Sequence, residues 1–133
     1  MINFKWEEFL HVARDLAQSA ATQNSAPKRE AMHRSAVSRA YYASFGTALQ
    51  WLQTNFPNHP LPAHGEIHQS VIDFFGFSND ETFVEIAKLM RRLRQRRNEA
   101  DYKSQLNGLE QMAQNAIFDA NRVLNALSGL EPS

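Results

Sequence analysis

Apolar residues recur at steps of three and four along most of the chain, the spacing that places side chains on one face of an α-helix. The five glycines and five prolines fall mainly between these periodic stretches, where they interrupt the helical spacing. Five such stretches can be counted. Long helical segments joined by short breaks are typical of a bundle, so the sequence predicts an all-α, five-helix bundle with an up-down core.

The second predicted helix is the longest, and its apolar residues fall on two sides, which predicts a central position. It begins with Ser25 as the cap and Pro27 in the first turn. Small residues early on one seam, Ala31, Ser35 and Ser38, predict that a neighbouring helix approaches closely there. Gly46 marks a second point of close approach.

Caps and helix breakers set the other predicted boundaries. The first helix is expected to begin near Asn3, and a proline-rich loop at 57–65 precedes the third. Gly76 is expected to end the third helix in a left-handed conformation, after which Ser78 and Glu81 form the capping box of the fourth. Residues 103–108 are expected to form a turn before the last helix.

One charged residue, Arg97, lies on the apolar face of the fourth predicted helix. The positions that share this face are Phe83, Ile86, Met90, Leu93, Arg97 and Ala100. An unpaired ion in a protein interior costs several kcal/mol, so Arg97 must be paired or must line a polar cleft. Asp101, four residues further on, is an available partner, and the sequence leaves open whether Arg97 is structural or catalytic.

Arginine fills five of the seven positions from 91 to 97, at Arg91, Arg92, Arg94, Arg96 and Arg97. Because the whole chain carries 14 basic and 14 acidic residues, this is a local basic patch on a neutral protein. It suits contact with phosphate or RNA through Arg91, Arg94 and Arg96. Alternatively, the arginines form a solvated helix end that complements the helix dipole.

Arg39 is a further candidate for nucleic-acid contact, since Tyr41 and Tyr42 follow it on the second helix. These tyrosines either stack on bases, with Arg39 on a phosphate, or pack in the core and at an interface.

Composition limits the remaining function classes. The chain lacks cysteine, a signal-peptide pattern and a run long enough to span a membrane, so we expect a single cytoplasmic domain over 1–133 without membrane association. His64 and His68 are four apart, but they lack the His-Glu-x-x-His order of a zinc helix. We therefore expect no metal and no cofactor, with His68 as an ordered buried or interface residue.

Two stretches together suggest a family. SRAYYASF at 38–45 and RQRRNEADY at 94–102, with Gly65, His68 and Val71 between them, resemble the HEPN family of small helical-bundle proteins. The resemblance implies a homodimer. It also implies RNA as a ligand, because many HEPN proteins are ribonucleases, and many are toxins encoded beside a minimal nucleotidyltransferase antitoxin, which would be the partner protein.

Active HEPN proteins carry an Arg, a polar residue and, a few residues on, a His that faces a cleft at the dimer interface. Arg97 and Asn98 match the first part, but Tyr102, Lys103 and Ser104 stand where the His would be. An imidazole transfers protons near neutral pH, whereas tyrosine titrates at about 10. The Ala-Asp-Tyr ending is similar to a HEPN branch whose activity is not established.

Three hypotheses follow. The first is a HEPN-like interaction or RNA-binding module, one component of a toxin-antitoxin pair, with Arg97, Asn98 and Tyr102 lining the cleft. The second is a metal-independent ribonuclease in which Arg97 stabilises phosphate charge and Tyr102 or an outlying His replaces the missing imidazole. The third is a partner-binding scaffold without a nucleic-acid role.

Overall fold

A computed structural model of the chain describes residues 4–130, and every regular element among them is a helix. The five helices are α1 (Glu8–Ala21), α2 (Ala26–Asn55), α3 (Ile67–Gly76), α4 (Glu81–Tyr102) and α5 (Leu109–Ser128). The predicted all-α, five-helix bundle is confirmed. The predicted cap at Asn3 lies outside the described residues.

Helix α2 is the centre of the bundle, as its two apolar sides predicted, and it contacts all four other helices. Tyr41, Val37 and Leu52 are among its fully buried side chains. Helix α4 packs against α2, α3 and α5, so the arginine-rich segment is surrounded by three partners. None of the helices within residues 4–130 combines the length and the apolar character needed to cross a membrane.

The predicted start of α2 is confirmed, whereas the predicted start of α4 is wrong. The Ser25 hydroxyl accepts a hydrogen bond from the Lys28 N–H at the start of α2. Helix α4 is capped by Asp80, whose carboxylate accepts hydrogen bonds from the N–H groups of Thr82 and Phe83 at 2.8 and 3.2 Å. A carboxylate suits this position because it also complements the positive end of the helix dipole.

Gly76 is not the left-handed cap that the sequence predicted, since it is the last residue of α3 and the only positive φ angles in residues 4–130 belong to Gly65 and Gly108. A Cβ at this position would lie 2.5 Å from Nη2 of Arg91, which is the far end of an exposed, flexible side chain of α4.

The prediction of close approach is confirmed at Gly46 and is wrong for Ala31 and Ser35, whereas Ser38 of the same seam is buried. A Cβ on Gly46 would overlap the Trp6 indole, which lies directly on this part of the helix. Ala31 and Ser35 are exposed. The neighbouring helices pack instead on the adjacent face of α2, where Ala36 and Ala40 are fully buried.

Candidate nucleic-acid interface

The arginines of α4 point in different directions, and two of them are bound to α5. Nη2 of Arg92 and Nη1 of Arg96 lie 3.1 and 2.7 Å from the same carboxylate oxygen of Asp119. Asp119 is only 4% exposed. A buried carboxylate needs such partners, so Arg92 and Arg96 connect α4 to α5.

Arg97 faces α2, as its place on the apolar stripe predicted. Its side chain is 12% exposed, and its guanidinium lies 5.2 Å from the centre of the Tyr41 ring and 5.5 Å from that of Tyr42. Its Nη1 is 3.7 Å from the Asp101 carboxylate, which confirms the pairing that the spacing allowed. Aromatic faces and one carboxylate offset part of the cost of burying this cation, while its Nε is buried without a hydrogen-bond partner among the described residues.

The remaining basic residues line an open groove of about 460 Å³ between α3 and α4. The groove is lined by Gln69, Ile72, Arg91, Arg94, Gln95, Asn98, Glu99 and Lys103. Arg94 donates a hydrogen bond to the side-chain oxygen of Gln69 at 3.1 Å, which connects the two walls of the groove. Three cations and one carboxylate, Glu99, give the lining a formal charge of +2.

The three cations of this groove, Arg91, Arg94 and Lys103, form no ion pair with a carboxylate of residues 4–130. They differ in this respect from Arg92, Arg96 and Arg97, which are all paired. A groove whose cations are not neutralised by the protein is suited to an anion from outside.

His68 lies close to this basic region. Its Nδ1 is 2.5 Å from the Tyr41 hydroxyl, and its ring stacks on Phe45 with 4.0 Å between centres. Burial, together with the positive charges of Arg94 and Arg97, lowers the pKa of the imidazole below its ordinary value of 6.5. His68 is therefore neutral at pH 7, and it is half-buried rather than buried in the single chain.

The Tyr41 hydroxyl decides which nitrogen of His68 carries the proton. Burial raises the pKa of Tyr41 well above its ordinary value, although Arg94 and Arg97 oppose the shift, so the hydroxyl stays protonated. A buried hydroxyl that has His68 as its hydrogen-bond partner donates to the Nδ1 lone pair, which leaves the proton of the neutral ring on Nε2. In this tautomer His68 is a hydrogen-bond donor.

The other candidate residues do not meet in one cleft of the single chain. Asn98 is exposed and lines the groove, whereas Tyr102 is 77% exposed and is not part of the lining. Arg39 extends toward α1, where its guanidinium lies 5.1 Å from the centre of the Phe9 ring. Arg97 faces the tyrosines of α2.

Arg34 of α2 is a contributor that the sequence did not indicate. Its Nη1 donates to the carbonyl oxygens of Ala100 and Lys103 at 2.9 and 2.6 Å, and Nη2 lies 3.4 Å from that of Ser104. These carbonyls form the negative end of α4, which a guanidinium complements. Arg34 thereby fixes the end of the groove at which Lys103 lies. No local pattern predicts this contact, because the partners are 66 to 70 residues apart.

No family model, curated protein or solved structure matches the chain. The HEPN resemblance therefore stays a prediction carried by the residues at 38–45 and 94–102.

Proposed function

We propose that this protein is an RNA-binding module whose phosphate contacts lie in the groove between α3 and α4. One observation carries the proposal: Arg91, Arg94 and Lys103 line a single groove and have no carboxylate partner within residues 4–130. Cations that contact phosphates release counterions from the nucleic acid, and this release supplies much of the affinity.

Two further features support RNA as the ligand. Tyr102 is exposed directly beside Lys103, where an aromatic ring is available to stack on an unpaired base. Gln69 and Asn98 also line the groove, and their side-chain amides can donate hydrogen bonds to phosphate oxygens. The HEPN resemblance, which implies RNA, agrees with this assignment.

The homodimer, the toxin-antitoxin role and the nucleotidyltransferase-type partner rest on the resemblance alone. Within one chain Arg97 is already covered by Tyr41, Tyr42 and Asp101. The Nε of Arg97 is nevertheless buried without a hydrogen-bond partner among the described residues, and dimerisation stays a separate prediction.

The Tyr41–His68 hydrogen bond counts against the ribonuclease hypothesis in the form that uses His68 as the base. A general base needs a free lone pair, and here the Nδ1 lone pair is occupied while Nε2 carries the proton. Incubation of an RNA pool in EDTA, with Arg97→Ala beside the wild type, tests cleavage directly. Loss of cleavage in the variant alone would establish a ribonuclease that uses another base.

RNA binding is tested by fluorescence anisotropy of labelled single-stranded RNA at several salt concentrations. We expect Arg91→Gln/Arg94→Gln to weaken binding and to reduce the slope of log affinity against log salt by roughly 1.4, about 0.7 for each phosphate contact. Arg92→Gln is the matched control, because Arg92 lies on the same helix but contacts Asp119.

Equal losses in the double variant and the control would contradict the groove assignment. Absence of RNA binding by the wild type would favour the partner-binding scaffold instead.

A further inference from the structure

A second polar cavity, separate from the groove, lies between the turn that joins α1 to α2 and the start of α5. Its volume is about 530 Å³. It is lined by Ala20, Ala21, Gln23, Ala26, Arg29, Glu30, His33, Leu106, Leu109 and Glu110. Three features of this lining point to a bound anion.

The first feature is the uncapped start of α5. Gly108 is the N-cap, with φ of 65°, and it offers no side chain to accept a hydrogen bond. The N–H groups of Leu109, Glu110 and Gln111 make no hydrogen bond to any residue from 4 to 130. The first backbone N–H of α5 that donates a hydrogen bond is that of Met112, to the carbonyl oxygen of Gly108. Free N–H groups at the positive end of a 20-residue helix favour an anion.

The second feature is a buried histidine. His33 is 9% exposed, and its enclosed Nδ1 has no hydrogen-bond partner among the described residues. A buried N–H without an acceptor is unfavourable, which favours the tautomer with its proton on Nε2. Because the ring lines the cavity, Nε2 is the nitrogen left to donate to a ligand.

The third feature is Arg29, which is held at the cavity. Its Nη1 donates to the carbonyl oxygens of Gln23 and Asn24 at 2.7 and 3.4 Å. Glu30 does not neutralise it, since the Glu30 carboxylate lies 3.3 Å from Nη2 of Arg34. Glu110 lies in the first turn of α5. It is the one carboxylate of the lining without an ion pair in the described residues, so its negative charge disfavours binding of an anion.

We propose that this cavity binds a phosphate group, held by the N–H groups at the start of α5, by Arg29 and by His33. The site is separate from the α3–α4 groove, because the two linings share no residue. The phosphate is either free or part of a larger molecule.

The test is a titration of the ¹⁵N-labelled full chain with inorganic phosphate at constant ionic strength, followed by amide chemical shifts. We expect saturable shifts at residues 109–111. His33→Leu should weaken phosphate binding by about tenfold, the effect of one lost hydrogen bond to a charged ligand. Glu110→Gln should strengthen binding, because it removes the opposing carboxylate. Arg29→Gln gives a second weakening variant if His33→Leu does not fold.

Arg94→Gln is the control, since it removes a groove cation and should leave the shifts at 109–111 unchanged. Shifts that do not saturate, or that persist unchanged in both the His33 and Arg29 variants, would overturn the proposal. A parallel titration with a 5′-phosphorylated dinucleotide distinguishes the sources: tighter binding than free phosphate assigns the phosphate to a larger molecule, and equal or weaker binding assigns it to the free ion.

Discussion

The Tyr41 hydroxyl and Nδ1 of His68 lie 2.5 Å apart, joining the middle of α2 to the start of α3 across 27 residues of sequence. Tyr41 is fully buried, and His68 is half-buried against Phe45. This hydrogen bond and the aromatic stack around it place His68 beside the arginines of α4.

Tyr41→Phe should destabilise the protein by about 1 kcal/mol, because it removes the hydroxyl and leaves Nδ1 of His68 without its partner. The loss is measured as the change in the free energy of unfolding in urea. Tyr102→Phe removes the same atom from an exposed ring and should change stability little. Equal effects of the two substitutions would show that the buried hydrogen bond contributes nothing net.

The free energy of unfolding should decrease as the pH is lowered, because the His68 ring takes up a proton. Its pKa in the folded protein is lowered below 6.5, so the unfolded chain binds this proton more readily. The contribution of His68 is therefore fully present above pH 6.5 and is lost as the pH falls toward the folded pKa, with a slope of at most about 1.4 kcal/mol per pH unit.

The groups that face His68 are Tyr41 on α2 and Arg94 and Arg97 on α4. The free energy of unfolding is measured for the wild type and for His68→Gln between pH 5 and 7.5. The contributions of the carboxylates are common to both proteins, so they cancel in the difference. A difference between the two that stays constant across this range would contradict the lowered pKa.

Asp119→Asn should destabilise the protein by about 2 kcal/mol, since it weakens two charge-assisted hydrogen bonds and leaves Arg92 and Arg96 without their counterion. Arg96→Gln should cost more than Arg92→Gln, because their side chains are 23% and 52% exposed and water replaces the exposed contact more easily. Thermal unfolding of the three variants gives the order. An Arg92 effect larger than the Arg96 effect would contradict it.

Gly46→Ala should displace the Trp6 ring. Alanine favours a helix by about 1 kcal/mol over glycine, but here its Cβ would overlap the indole. We expect a red shift of Trp6 fluorescence, measured with Trp51→Phe so that Trp6 is the only tryptophan. Gly129→Ala is the control, because a Cβ there meets only ordinary contacts at 3.6 and 3.7 Å. An unchanged Trp6 emission would show that the ring does not lie on Gly46.

The fold could be predicted from the sequence because its signals are local. Helical periodicity, the Ser25 cap and the position of Pro27 each depend on a few neighbouring residues, and the structure confirms them. The errors at Gly76 and at the start of α4 have a different origin. Helix α3 continues through Gly76 and is capped by Phe77, and at α4 two acceptors, Ser78 and Asp80, were both available to the chain.

The candidate site could be predicted only in part. The spacing placed Arg97 on a buried stripe with Asp101 in reach, and both features are present. The cluster of five arginines, however, did not reveal which of them are free for a ligand, since that depends on Asp119 of α5 and on Tyr41 and Tyr42 of α2. Arg34 and its carbonyl partners were missed for the same reason.

The sequence alone thus determined the number of helices, their order and the segment that carries the excess basic charge, because each follows from periodicity and composition within one stretch of chain. The tertiary structure decided how that charge is divided. Packing of α4 between α2, α3 and α5 pairs Arg92 and Arg96 with Asp119, covers Arg97, and leaves Arg91 and Arg94 in an open groove. Contacts between residues distant in sequence are set by how whole helices pack, and no local pattern encodes them.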